Sequence, residues 1–205
     1  MELHDVIQNR RSIRKFKTDP VPESLIRELI NTARLAPSAA NIQPTRYVIV
    51  QSTATKEQLT PYTLPFVTKA PVIIICCIDT TAWSTALTRF TELKNSGIFR
   101  DNIEDGKRIE TYQQEGLMDR MADSQVGRMH LWQNAAIAID HLTLRAVDLG
   151  LSSCWVGLVD REKVKALLGL EEQYEVVALL PIGYADQEAA PRPRMGLDEV
   201  LLQVV

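Results

Sequence analysis

The eight residues Pro71-Val72-Ile73-Ile74-Ile75-Cys76-Cys77-Ile78 are uncharged and show no alternation of polar with apolar positions. Such a run is far too short to cross a bilayer as a helix. It is rich in β-branched residues and apolar on both faces, the pattern of a central strand covered on both sides. Few folds accommodate such a strand, because both of its faces need a covering layer. Tyr174 to Leu180 has the same character and predicts a second buried strand. Arg46 to Gln51, rich in β-branched and aromatic residues, predicts another, and Ser153 to Val156 a short one.

Helical spacing accounts for much of the remainder. Leu3, Val6 and Ile7 predict a short first helix that delivers Arg10 and Arg11 at its C-terminal end, where cations suit the helix dipole. After the turn Asp19-Pro20-Val21-Pro22, Leu25, Ile26, Leu29, Ile30 and Ala33 form an apolar stripe that Pro37 stops. Thr55 to Leu59 predicts a short helix. Val126, Met129, Trp132, Ala136, Ile139, Leu142, Ala146 and Leu149 keep a helical period until Gly150. That helix is apolar over much of its circumference, as expected of a core helix or of one shared with a second subunit. Asp160 is placed to cap a helix from Arg161 to Leu168. The segment from about 80 to 123 has scattered aromatics (Trp83, Phe90, Phe99, Tyr112) and many charges, and no regular pattern. Six large aliphatics (Leu197, Val200, Leu201, Leu202, Val204, Val205) end the chain and need a surface to pack on.

No repeat or linker divides the 205 residues, so a single α+β domain spanning 1–205 is expected. A net charge of −3 argues against a dedicated nucleic-acid binder. The three cysteines have no CxxC spacing, and His4, His130 and His141 form no metal-binding pair, so neither a disulfide framework nor a metal site is expected. With no signal peptide and no spanning segment, the expected location is the cytoplasm. There is no GxGxxG, P-loop or GxSxG motif.

Within this acidic chain, five of the eight residues from Arg10 to Lys17 are basic. If the chain is extended from Ser12, residues 12 and 14 point to the same side. Guanidinium forks and a hydroxyl suit the oxygens of a phosphate monoester. A solvated basic patch is an equal reading of the cluster taken alone.

Four separated signatures then add up. They are Arg10-Arg11-Ser12-Ile13-Arg14-Lys15-Phe16; Ala36-Pro37-Ser38-Ala39-Ala40-Asn41-Ile42-Gln43-Pro44; Gly150-Leu151-Ser152-Ser153-Cys154-Trp155-Val156-Gly157; and Pro181-Ile182-Gly183-Tyr184 followed by Arg192 and Arg194. In this order and at these distances the chain resembles the FMN-dependent nitroreductase family over nearly its whole length. The resemblance implies a nitroreductase-like fold, with a central, mostly antiparallel sheet flanked by helices, in an intertwined homodimer with two FMN sites at the interface. It implies that Arg10, Arg11, Ser12 and Arg14 hold the FMN phosphate and ribityl chain, with Arg192 and Arg194 closing on the same phosphate. Pro37, Ser38, Ala39, Asn41 and Gln43 would reach the flavin bound mainly by the other subunit. Trp155, Val156, Gly157 and Leu158 would pass beside the flavin and offer backbone groups near N5. Leu158 stands where many relatives carry a second glycine.

The implied activity is ping-pong transfer of hydride from NADH or NADPH, through flavin N5, to a nitroaromatic, quinone or other flat acceptor. No catalytic side chain is assigned. Residues 80–123 would line or cover the acceptor pocket. Two other readings stay open at this stage: a flavin-using relative with other chemistry (reductive dehalogenation or flavin fragmentation), and a flavin-binding module without turnover. Cys154 is expected to be a buried structural thiol, since nothing in the sequence places a base beside it.

Overall fold

The structure is a computed structural model, and it describes residues 1–98, 103–122 and 124–205. Four strands form one antiparallel sheet: β1 (Thr45–Val50), β2 (Val72–Asp79), β3 (Ser152–Ser153) and β4 (Tyr174–Gly183), in the order β1-β2-β4-β3. β2 lies inside, paired on one side from Thr45↔Ile78 to Val50↔Ile73 and on the other from Val72↔Ile182 to Asp79↔Tyr174. Its apolar run from Val72 to Ile78 is buried throughout. The pleat sends Val72, Ile74, Cys76 and Ile78 into one core and Ile73, Ile75 and Cys77 into another.

The first core is closed by α2 (Glu23–Ala33), through Leu29 and Ala33, and by α7 (Gln125–Asp148), through Ala135, Ile139, Leu142 and Ala146. The second is closed by Leu59 at the end of α3 (Thr53–Leu59), by Val67, and by Val164 of α8 (Arg161–Leu167). Asp160 caps α8 as expected, its carboxylate accepting from the Lys163 N–H at 3.1 Å. α1 (Leu3–Asn9) precedes the basic segment. Gly150 and Gly169 follow α7 and α8 with φ of +73° and +61°, a conformation that glycine adopts without steric cost.

Three expectations change in detail. The predicted strand Ser153 to Val156 is interrupted. Ser153 pairs with Ile182, and in the same register Val156 exchanges both hydrogen bonds with Leu179. Cys154 therefore stands opposite Pro181, which has no N–H to donate, and the ladder breaks there.

The N-terminal half of the long helix shows a different face to the core. Val126 and Met129 are 54% and 55% exposed, whereas Gly127 and Leu131 are buried. Gly127 meets its neighbours so closely that a Cβ there would lie 1.8 Å from the Met121 carbonyl oxygen. An apolar stripe counted in side chains cannot register a contact made by a residue without one.

The irregular segment is largely helical: a 3₁₀ turn Thr80–Thr85, α4 (Ala86–Asn95), α5 (Ile103–Gln114) and α6 (Leu117–Ala122). Trp83 and Phe90 anchor it in the core, and the Trp83 indole N–H donates to the Gly127 carbonyl at 3.1 Å. Tyr112 lies under the Arg108 guanidinium, 5.7 Å from it. Phe99 falls outside the described residues.

After Gly183 the chain returns along the N-terminal segment, with Phe16 bridged to Ala185, and then runs out to α9 (Leu197–Val200). Every residue from 191 to 205 is exposed. Among the described residues, no helix is long and apolar enough to cross a membrane.

Candidate flavin-nucleotide site

The basic segment is fixed in extended form at the edge of the sheet. Ser12 forms a parallel bridge with Ser153, and the Ile13 N–H donates to the Ser153 carbonyl at 3.0 Å. Ile13 is buried, so its neighbours Ser12 and Arg14 share the opposite side, as the alternation predicts. The chain leaving β4 grips the segment from its other edge. The Arg14 N–H donates to Gln187 Oε1 at 3.0 Å, the Lys17 N–H to the Tyr184 carbonyl at 2.9 Å, and Lys15 pairs with Asp186 at 2.7 Å.

Electrostatics at Cys154 show what this brings together. Burial pushes the Cys154 thiol up, while Arg14, the Ser12 hydroxyl, Arg10 and Arg192 all pull it down. Residues from both ends of the chain therefore converge on one point. Arg10, Arg11, Arg14, Arg192 and Arg194 form no ion pair among the described residues. Arg11 is held by the Gln8 and Arg10 carbonyls and its Nε is buried without a partner. The Arg14 guanidinium lies 5.9 Å from the Phe66 ring. Arg194 is exposed and donates to the Pro193 carbonyl. A dianion is the natural partner for such a set. Cys154 itself is buried, and burial outweighs the cations in raising its thiol above the ordinary value, which suits a packing thiol.

The loop after α2 is strained. Ala40, Asn41 and Gln43 have φ of 47°, 55° and 46°, left-handed values that side chains other than glycine disfavour. Three contacts hold it there. Ser38 Oγ accepts from the Gln43 N–H at 3.0 Å, Asn134 Oδ1 of α7 accepts from the Ala39 N–H at 3.1 Å, and Ile42 is buried. Behind the loop opens a cavity of ≈ 710 Å³ walled mainly by Trp83, Phe90, Leu93, Met121 and His130. Among the described residues no hydrogen bond or ion pair joins this loop to the cationic cluster, and the two hang on different elements.

In the segment from Trp155 to Leu158 only Val156 is buried. Trp155 and Leu158 are 43% and 71% exposed, and nothing lies within 4 Å of where a Gly157 Cβ would be. The segment thus offers an open strip of backbone beside the cationic cluster, with Leu158 pointing away from the core.

Sequence reasoning missed Asn134 and Gln187. Asn134 left a trace, since an amide within an apolar helical stripe asks for a reason. Gln187 left none, because its role depends on the path of the chain after β4. Among the described residues, no group of histidine, cysteine or acidic side chains could hold a metal ion.

The comparisons agree with this geometry. The profile of the Nitroreductase family matches residues 7–184. A protein of Thermus thermophilus named "NADH dehydrogenase" is 34% identical over 197 residues, covering 94% of this chain and 91% of its own. The crystal structure of a nitroreductase family protein from Streptococcus pneumoniae is 25% identical, with a TM-score of 0.77 over 97% of this chain and 98% of its own. A protein of Exiguobacterium sibiricum whose crystal structure holds FMN has the same fold, with a TM-score of 0.78, 19% identity and coverage of 98% and 96%. Fold, cationic edge and strained loop thus sit on a chain that belongs to the Nitroreductase family.

Proposed function

We propose that the chain is an FMN-dependent oxidoreductase that moves hydride from NADH or NADPH to a nitroaromatic, quinone or similar flat acceptor in ping-pong order. The observation that carries this is the Ser12–Ser153 bridge, which sets Ser12 and Arg14 beside Cys154, where the charges of Arg10 and Arg192 also act, with no ion pair to any of these arginines among the described residues. A terminal phosphate monoester fits that cluster, and the FMN held by the Exiguobacterium relative supports the choice. The Thermus relative's name supports a nicotinamide donor.

When bound, FMN would supply the hydride-carrying ring, and the chain would supply its setting. Arg10, Arg11, Ser12 and Arg14, with Arg192 and Arg194, hold the phosphate and ribityl chain. In the strip Trp155, Val156, Gly157 and Leu158, Val156 is tied to Leu179 through both of its backbone groups and holds the strip in place, and its neighbours offer peptide N–H groups to the ring edge with no bulky side chain at Gly157. Pro37, Ser38, Ala39, Asn41 and Gln43 present amides and a hydroxyl, which serve both donors and acceptors on a heterocycle. The apolar cavity behind that loop excludes water and takes the flat acceptor, with Trp83 and Phe90 in its wall.

The loop and the cationic cluster lie on different elements, which supports a homodimer in which each protomer's loop completes its partner's site. Residues 1–205 act as one domain, and the described parts of the segment from about 80 to 123 form the cover of the acceptor cavity. Three free thiols suit a reducing compartment such as the cytoplasm. The test is direct. The purified protein is expected to be yellow, to release FMN and not FAD on denaturation, and to oxidise NADH or NADPH when a quinone is added. A colourless protein that takes up no FMN on titration overturns the reading. A yellow protein without turnover leaves a flavin carrier.

A further inference from the structure

A second cationic site lies under the strained loop. Arg34, Arg46 and Arg89 line one cavity of ≈ 200 Å³, together with Ser38, Tyr47 and Asn134. Among the described residues no carboxylate lines it. Arg46 and Arg89 pair outside the wall, with Asp79 at 3.2 Å and Glu92 at 2.9 Å, while Arg34 meets the neutral Asn31 amide oxygen at 2.7 Å.

Two buried polar atoms in this wall have no partner among the described residues: Tyr47 Oη and Asn134 Nδ2. Asn134 is 7% exposed. Its orientation is fixed, because the Ala39 N–H can only donate and so takes Oδ1, which leaves the NH₂ as the free donor. Burial pushes the Tyr47 phenol well up, so its hydroxyl stays protonated and able to donate. Buried donors without acceptors cost stability unless something accepts from them. Donors from three guanidinium groups, a phenol and an amide, with no carboxylate among the described lining residues, call for an acceptor that is small and anionic.

We infer that this cavity is a binding site for a small oxoanion, held by Arg34, Tyr47 and Asn134 and flanked by Arg46 and Arg89. The site is separate from the cluster of Arg10, Arg14 and Arg192, and it shares Pro37, Ser38 and Gln43 of its lining with the loop proposed to reach the flavin, so its test holds FMN in excess. Its occupant bears on Ser38, whose hydroxyl holds Gln43, and so secures the loop in its left-handed form.

The test uses the full chain with FMN in excess and inorganic phosphate as the probe, with ionic strength held constant by chloride. Flavin content is read by absorbance in the same samples, so a failure of the cofactor reading shows itself separately. Phosphate is expected to raise the unfolding midpoint of the wild type and of Arg14→Ala alike. Arg34→Gln should need about tenfold more phosphate for the same rise, the loss expected of one charge-assisted hydrogen bond. Tyr47→Phe, which removes only a hydroxyl, should shift the requirement in the same direction. The inference is overturned by the absence of any rise, by a rise that survives both Arg34→Gln and Tyr47→Phe, or by one that Arg14→Ala abolishes.

Discussion

Ser12 and Ser153 lie side by side in a parallel bridge, and this pairing sets Arg10 and Arg14 beside Cys154. The first residues of the basic cluster thereby become part of the sheet edge and not a free arm. The proposed phosphate end is prearranged, so truncating one guanidinium should remove one interaction and leave the frame standing. Arg14→Ala is expected to weaken FMN binding by about tenfold to a hundredfold, the range for a charge-assisted hydrogen bond. Arg194→Ala should act in the same direction. Quenching of flavin fluorescence on titration of the apoprotein measures both, and unchanged affinity in the pair places the phosphate elsewhere.

The loop from Pro37 to Gln43 stores strain at Ala40. A left-handed alanine costs roughly 1–2 kcal/mol, which glycine escapes. Glycine also loosens the unfolded chain, which returns about 0.4–1 kcal/mol of that gain. Ala40→Gly should therefore stabilise the protein by up to about 1 kcal/mol, and Ala40→Val should destabilise it by more, since a β-branched residue suits φ of 47° worse. Urea unfolding reads both. A glycine variant less stable than the wild type would show that the loop is not strained at this position.

Cys76, Cys77 and Cys154 are buried thiols, and burial raises all three from the ordinary value of 9.0, Cys77 to about 12. A raised folded-state value means that the folded protein holds the proton more tightly. The stabilisation is complete below pH 9.0 and is lost as pH rises from there towards 12. For Cys77 the loss is about 1.4 kcal/mol per pH unit across that window. The unfolding midpoint should fall steeply above pH 9, and less steeply in Cys77→Val, which is similar in size and cannot ionise. Parallel curves for the two proteins would remove the thiol from the account.

Parts of this architecture are legible in the residues because burial on both faces leaves no room for polar side chains. The run Val72 to Ile78 declares itself in that way, as does Asp160 as a cap. The face of α7 is only half legible, since Gly127 makes its contact by having no side chain. The described parts of residues 80–123 are illegible because a few anchors, Trp83 and Phe90 among them, hold a largely charged segment. The arginines of the cationic edge are visible one by one, but the meeting of Arg192 with Arg10 depends on the return of the chain after β4. Spacing along the sequence does not encode that return.

The end of the chain bears on assembly. Leu197, Val200, Leu201, Leu202, Val204 and Val205 are exposed by 73%, 59%, 49%, 92%, 85% and 108%, and Val126, Met129 and Ile137 open the outer face of α7. So much apolar surface on one chain asks for a cover, and in the proposed homodimer a second copy would provide it symmetrically. If the loop Pro37–Gln43 completes the partner's flavin site, assembly and cofactor binding are linked, because a ligand bound only by the dimer stabilises it by mass action. The wild type is expected to be a dimer by light scattering with one FMN per chain. Deleting Leu197–Val205 should shift it towards monomer and lower its FMN content together. A truncated protein that stays a fully flavinated dimer would free the tail of this role, and a wild-type monomer with full FMN would remove the shared site.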